Sequence, residues 1–389
     1  MLRIKDYAQS GHTYVKDRAE IVWQWTLKHE RALSLAAFAC GFIWDNLTLT
    51  SVELWLDNLI LLGYLVIAGT SILFLNTFSP LLNVDRGETL AHSRLLRLQQ
   101  YLLAAAPLLL QFAFGGLFSS FFIFYFRSAT VAGSWPFLLV LLGMLVGNEF
   151  FKTHYLRLAF QASVFFIAVF SYAILILPVA TRRIGTDIFL ASGLVSLAVM
   201  SLFGMALARF AHTRLYEMKK WLGASVSGIY LAFNLMYVAN IIPPIPLALK
   251  DGGIYHSVER AADGNYLVGY EDAPWYALFR DQSVTIHLIP GQPLYAFSAV
   301  FAPTRLHTTI THRWEYFDEE RGAWVMQSSH SYPIAGGREK GYRGYTLITH
   351  VQPGRWRVDV TTQRGQIIGR MKITVVAAGD SPKILYAIK

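Results

Sequence analysis

Charge is scarce in this chain. Only 15% of its 389 residues are Asp, Glu, Lys or Arg, against roughly 25% in soluble domains. With 54% hydrophobic residues and a mean hydropathy of +0.38, that scarcity argues for a membrane protein. Cysteine is scarcer still: Cys40 stands alone in an apolar stretch, which excludes a disulfide framework or a cysteine metal site. A P-loop, a dinucleotide-binding glycine fingerprint, a GxSxG elbow and an HExxH pair are all missing. Neither a catalytic residue nor a cofactor is expected. His29, His92, His154 and His212 fall at the ends of apolar runs, where histidine is an ordinary helix-end residue, so no haem or metal site is predicted. The net charge of +9 comes with no nucleic-acid motif, and the excess cations sit in short loops between apolar runs. Topology explains them better than a polyanion partner does.

What the chain has in quantity is long apolar runs. A hydrocarbon core of about 30 Å needs about 20 apolar residues at 1.5 Å each. Seven candidate spans emerge: Leu33–Leu49, Leu54–Leu75, Tyr101–Phe126, Val131–Gly147, Leu158–Leu177, Ile188–Ala208 and Ala224–Ile242. Asp45 and Asn46 interrupt the first, and the fourth is short. About thirty largely polar residues precede the first run, so no cleaved signal peptide is expected.

Lysine and arginine in the short loops set the orientation. Arg3, Lys5, Lys16, Arg18, Lys28 and Arg31 precede the first run. Arg86, Arg94 and Arg97, then Lys152 and Arg157, then Arg209, Arg214, Lys219 and Lys220 occupy alternate loops. These would share the cytoplasmic side, which leaves Arg127, Arg182 and Arg183 opposite. An odd number of spans puts the C-terminal region across the membrane, in the periplasm of a bacterium. AHSRLLRLQQYLLA and AHTRLYEMKKWLGA both lead into a span from the cytoplasmic side; they read either as a parallel duplication or as two ordinary cytoplasmic helix starts.

Past NIIPPIPLALKDGG, where Pro243, Pro244 and Pro246 end any regular helix, the period changes to two. In RWRVDVTT, Trp356, Val358 and Val360 would face inward and Arg355, Arg357 and Asp359 outward to water; in TTITHRWEYFD, Ile310, His312, Trp314 and Tyr316 share a face. About seven such strands with hairpin turns at EERGA and TQRGQ predict an immunoglobulin-like sandwich. Trp314, Trp324 and Trp356 would supply its core in place of a disulfide. The predicted fold is therefore a multi-pass α-helical membrane bundle of about seven spans plus a C-terminal all-β sandwich, divided as 1–31, 32–250 and 251–389.

The order HRW, a hairpin to Trp324, GGREKGYRGY and finally PGRWRVDVTTQRGQIIGRMKITVV resembles a bacterial family of C-terminal domains of unknown function. Gly354, Trp356, Arg357, Val358, Gly365 and Gly369 carry the resemblance. It implies an inner-membrane protein with several spans before the domain, and it implies no catalytic residue.

Two residue sets are candidate sites. In IAGGREKGYRGYTL, glycines could expose successive amides as an anion nest, with Arg338, Lys340 and Arg343 adding charge and Tyr342 and Tyr345 offering rings. Equally, this is what a glycine-rich crossover between two sheets requires. The other set is intramembrane: Glu53, Asp57, Gln111, Gln161, Asn234 and Asn240 could line a polar path or serve helix packing. Asp318, Glu319 and Glu320 at a hairpin tip are expected to be solvated. Ser192, Ser196, Gly204 and Ala208, four apart within each pair, would admit a closely packed helix. The expected role is a binding or accessory module for a periplasmic glycan, an anionic headgroup or a protein partner, with a transporter or channel as the alternative.

Overall fold

The computed structural model describes residues 43, 45, 47, 55–82, 94–128, 131–150, 158–244, 246–273, 284–303, 306–338 and 340–389. Met1–Thr50 and Ser51–Lys389 are separate units, and the helices and strands below all belong to the second. The first expected span and Glu53 lie outside the described residues, apart from Ile43, Asp45 and Leu47.

Six helices are described: α1 Trp55–Leu82, α2 Arg94–Ser128, α3 Val131–Phe150, α4 Leu158–Thr181, α5 Thr186–Phe210 and α6 His212–Val238. Five are long and apolar enough to cross a membrane, whereas the apolar part of α3 is confined to Ser134–Gly147. Two helices start earlier than their apolar runs. In α2 and α6 the polar leaders RLLRLQQ and HTRLYEMKK continue the same helix, because leucine, arginine, lysine and glutamate are all good helix formers.

Aromatic side chains fill the bundle. Phe114, Phe118, Phe121, Phe166 and Phe170 are fully buried. Phe170 stacks on Phe233 at 4.7 Å, and Phe189 lies flat on Tyr237 at 3.7 Å. Gly116 lets the Tyr64 ring lie where a Cβ would be only 2.6 Å away. Polar side chains fix the helix directions. Asn76 in α1 donates to Gln161 in α4 at 2.7 Å, while Tyr172 in α4 donates to the Asn58 carbonyl in α1 at 3.3 Å. The later residue of α1 meets the earlier residue of α4, so the two run antiparallel.

The C-terminal region is rich in β-sheet, with strands β1 Ala248–Tyr255, β2 Ser257–Arg260, β3 Tyr266–Tyr270, β4 Thr285–Leu288, β5 Leu294–Phe301, β6 His307–Asp318, β7 Ala323–Ala335, β8 Tyr342–Ile348, β9 Gly354–Thr362, β10 Ile367–Ala377 and β11 Leu385–Ile388. They form three sheets, ordered β1-β5-β8, β4-β10-β9-β6-β7 and β11-β3-β2. The first two pack over a shared core of Ile310, Trp314, Trp356, Val358, Ala296 and Val300. The third covers the other face of the β1-β5-β8 sheet through Tyr255, Val258, Tyr266, Val268 and Phe297.

The described residues form eleven strands where about seven were expected. β1 is hidden in sequence because KDGG breaks the alternation, and the structure has a bulge there between Leu249 and Asp251. Trp314 and Trp356 are in the core as expected, but Trp324 is not. It pairs in register with Phe317, whose ring it meets at 5.2 Å, and that register puts both on the outer face of the five-stranded sheet. Asp359 points outward as expected but is only 2% exposed, because Arg370 from the neighbouring strand covers it.

IAGGREKGYRGYTL is the crossover from β7 in one sheet to β8 in the other. Gly336 donates to the Leu306 carbonyl at 2.8 Å and Gly337 to that of Ala302 at 3.1 Å. At Gly336 a Cβ would stand 1.7 Å from the Pro303 oxygen, which neither chain can yield without losing these bonds. Gly336→Ala is therefore expected to destabilise the β region by about 3 kcal/mol or more. Thermal unfolding of the purified full-length protein measures this, and Gly379→Ala, whose Cβ meets nothing within 4 Å and whose φ is not positive, serves as the milder comparison.

Candidate ligand-binding groove

β4 pairs with only the last four residues of β10, Thr374–Ala377. The earlier part of β10 on that side is flanked instead by β1, which approaches closely because Gly369 leaves room for Leu249 and Gly252 for Met371. Among the described residues a groove of about 1000 Å3 lies beside this part of β10, walled by Asp251–Tyr255, Tyr270, Trp324, Arg355, Arg370 and Lys372. That is the size of a small-ligand site.

Its cationic wall continues over the outer face of the five-stranded sheet. Register sets Arg313 against Asp359, Glu315 against Arg357 and Arg370 against Asp359. Arg370 grips Asp359 with two bonds of 2.6 Å, and this hydrogen-bonded pairing raises the guanidinium pKa. Glu315, 4% exposed, takes Arg313 at 2.9 Å and also Arg357. Arg313, Arg357 and Arg370 are thus bonded to buried carboxylates, while Arg357 lies over the Trp324 ring at 4.4 Å and Arg355 over Phe317 at 3.8 Å. Arg355 also forms an exposed fork with Glu319 at 3.1 Å, so that hairpin-tip acid is engaged rather than free. Lys372 is exposed, and among the described residues it has no ion-pair partner. Cations above flat rings beside a groove can take an acidic ligand that also offers a face for stacking.

The residues singled out in the crossover are dispersed by comparison. Arg343 donates to Asn265 at 2.8 Å and to the Lys389 carbonyl at 2.9 Å, binding β8 to the β11-β3-β2 sheet. Arg338 lies over the Tyr342 ring at 5.1 Å, Tyr342 packs on the core, and Tyr345 sits between Tyr266 and Tyr295. Lys340 is exposed.

In the bundle the polar residues form separate local contacts. Gln161 bonds Asn76. Asn234 donates back to the Tyr230 carbonyl at 2.8 Å. Asn240 lies beyond α6 with φ 56°, a left-handed residue at the helix end. Asp57 is buried in the first turn of α1, about 28 Å along the helix from Asn76, with buried Leu61, Leu65, Ala68 and Ile72 between them. Gln111 is partly buried in α2.

Two clusters went unseen in sequence because their members are far apart in the chain. Glu271 accepts from His256 at 2.9 Å, and from the His287 ring at 2.7 Å and amide at 2.6 Å. Burial raises the Glu271 pKa, but the bonds from His287 and His256 outweigh it and leave the pKa lowered. Among the described residues no group of three or more His, Cys, Asp or Glu is arranged to hold a metal. The other cluster joins the two large sheets. His312 meets Ser298 at 2.8 Å and Thr346 at 3.0 Å, Tyr332 meets Ser298 at 2.6 Å, and Trp314 donates to Thr346 at 3.0 Å. His312 and Ser298 are wholly buried, so this network rivets the core and is closed to substrate.

Residues 307–375, from the first residue of β6 into β10, match the family described as "Protein of unknown function (DUF2914)". The match takes in the arginine face and the β7–β8 crossover but not β1. No curated protein matches the chain. One solved structure that matches is Pseudomonas fluorescens alkylpurine DNA glycosylase AlkC bound to DNA containing an abasic site analog. It is 10% identical over 84% of this chain and 100% of that one, with a TM-score of 0.22, and at that score the likeness carries no argument.

Desolvation, helped by the nearby charge of His330, holds the His312 pKa at about 3 instead of 6.5. Below pH 6.5 only the unfolded chain takes up this proton. The contribution to stability is therefore complete above pH 6.5 and declines towards pH 3, by about 1.4 kcal/mol per pH unit. Melting the full-length protein in detergent between pH 7 and pH 4 should reveal this slope, and His312→Gln should flatten it.

Proposed function

We propose that this chain is a multi-pass bacterial inner-membrane protein whose β domain binds an acidic envelope glycan in the periplasm. The division is a cytoplasmic arm at 1–31, a membrane domain at 32–250 and a periplasmic domain at 251–389. The observation that carries the reading is the groove of about 1000 Å3 where Trp324, Arg355, Arg370 and Lys372 converge. The exposed Arg355–Glu319 fork is worth at most about 1 kcal/mol, so an acidic ligand can replace Glu319 at little cost, and Lys372 needs no release at all.

The basic joint at Arg209–Lys220 lies at the far end of α5 and α6 from the β strands, in keeping with cytoplasmic cations and an exported domain. An immunoglobulin-like reading is supported by the order β4-β10-β9-β6-β7 opposed by β1-β5-β8, with β4 parallel to β10 and a crossover from β7 to β8. For a transporter no comparable observation speaks, since buried aliphatic side chains stand between Asp57 and the Asn76–Gln161 pair.

Full-length protein in detergent should bind an acidic polysaccharide, and a neutral one of equal length much more weakly, in titration calorimetry. Arg355→Ala with Lys372→Ala should reduce that binding at least tenfold without lowering the melting temperature by more than a few degrees. Equal binding of both polysaccharides, or no effect of the double substitution, would refute the glycan reading. A reporter fused after Lys389 and active in the cytosol would refute the topology.

A further inference from the structure

α5 and α6 are joined by a single residue, Ala211, and stand apart beside it. Towards the β strands the two helices pack: Gly193 lets the Tyr230 ring come where a Cβ would be 2.9 Å away, and Phe189 stacks on Tyr237. Ser192 and Ser196, the first half of the small-residue series, are fully buried there. Near the joint the second half behaves differently. A Cβ at Gly204 or at Gly223 would meet nothing within 4 Å. Glycine inside a helix costs about 1 kcal/mol relative to alanine, and no contact within the described residues uses the room it leaves. That room is a cleft of about 430 Å3 whose walls include Leu197, Met200, Leu222 and Val226, with Tyr216 and Lys219 at its mouth.

From His212 to Val226 the cleft runs about 21 Å by helical rise, which is one leaflet of a core about 30 Å thick together with its headgroup layer. Charge is confined to the joint. Arg209, Arg214, Lys219 and Lys220 surround it, with Glu217 as the sole carboxylate between Phe210 and Val238. Lys219 lies over the Tyr216 ring at 4.0 Å, so its stem is held along the apolar wall with the ammonium at the rim.

We infer that the α5–α6 cleft holds one anionic phospholipid, an acyl chain lying against Gly204 and Gly223 and the phosphate meeting Lys219 and its neighbouring cations. This rests on the membrane reading above but not on the glycan reading. A neutral lipid would leave the cations unmatched. A helix of a second copy would set the same four cations against their own kind across a two-fold axis.

Native mass spectrometry of the full-length protein, released from nanodiscs of mixed phosphatidylglycerol and phosphatidylcholine, tests it. The wild type should retain phosphatidylglycerol in preference to phosphatidylcholine. Lys219→Gln with Lys220→Gln should cut that preference about fivefold per charge removed. Gly204→Leu, which has space for its side chain and improves helix propensity, should abolish retention of both lipids while the melting temperature holds. Equal retention of the two lipids by the wild type, unchanged retention in Gly204→Leu, or dimers in place of lipid adducts would each overturn the proposal. Protein recovered from cells in the soluble fraction would instead sink the membrane reading itself.

Discussion

The tip of the β9–β10 hairpin ties the strands to the helices. Arg364 donates to Thr186 at the start of α5 at 2.6 Å and lies over the Tyr237 ring at the end of α6 at 4.2 Å. Gln366 donates to the Ile242 carbonyl at 3.3 Å, in the segment that Pro243 and Pro244 prevent from continuing as helix. Arg364 thus engages the Thr186 hydroxyl at the start of α5, and Gln366 a backbone carbonyl in the irregular segment after α6. Because β9 and β10 are the central strands of the five-stranded sheet, fixing their tip fixes the orientation of its arginine face, and with it the groove, relative to the bundle.

That face is organised by burial rather than by exposed charge. Asp359 and Glu315 are nearly inaccessible although they are on the solvent side of the sheet, since Arg370, Arg313 and Arg357 close over them. A buried carboxylate needs its partner far more than a surface one does. Arg370, Arg313 and Arg357 are therefore structural in the first place. What remains adjustable is Arg355, paired in the open, and Lys372.

Legibility in the sequence followed physical range. The apolar runs after the first were readable because a hydrocarbon layer would impose a length on a continuous segment. Each falls on a described helix, five of them long and apolar enough to cross a membrane, although polar leaders extend α2 and α6, α1 runs on to Leu82 and α6 stops at Val238 instead of Ile242. Alternation gave β6 and β9 down to the inward Trp314 and Trp356. It failed at Trp324, where register rather than periodicity decides the face, and at β1, where glycines and a bulge erase the period. The groove was not legible at all, since β1, β7, β9 and β10 contribute to it from positions more than a hundred residues apart. The crossover drew notice for its glycines, and Gly336 and Gly337 are needed there to bring the backbone against Ala302, Pro303 and Leu306.

A one-residue joint at Ala211 makes α5 and α6 behave as a pair of calipers. Neither arm can lengthen or slide without unwinding a turn, so the space beside Gly204 and Gly223 is bounded by the joint at one end and by the stacked tips at the other. Those tips are Phe189 and Tyr237, the stacked rings on which Arg364 rests. The foot of the β9–β10 hairpin thus rests on the ends of α5 and α6 that lie farthest from their joint, with no flexible linker between the two helices.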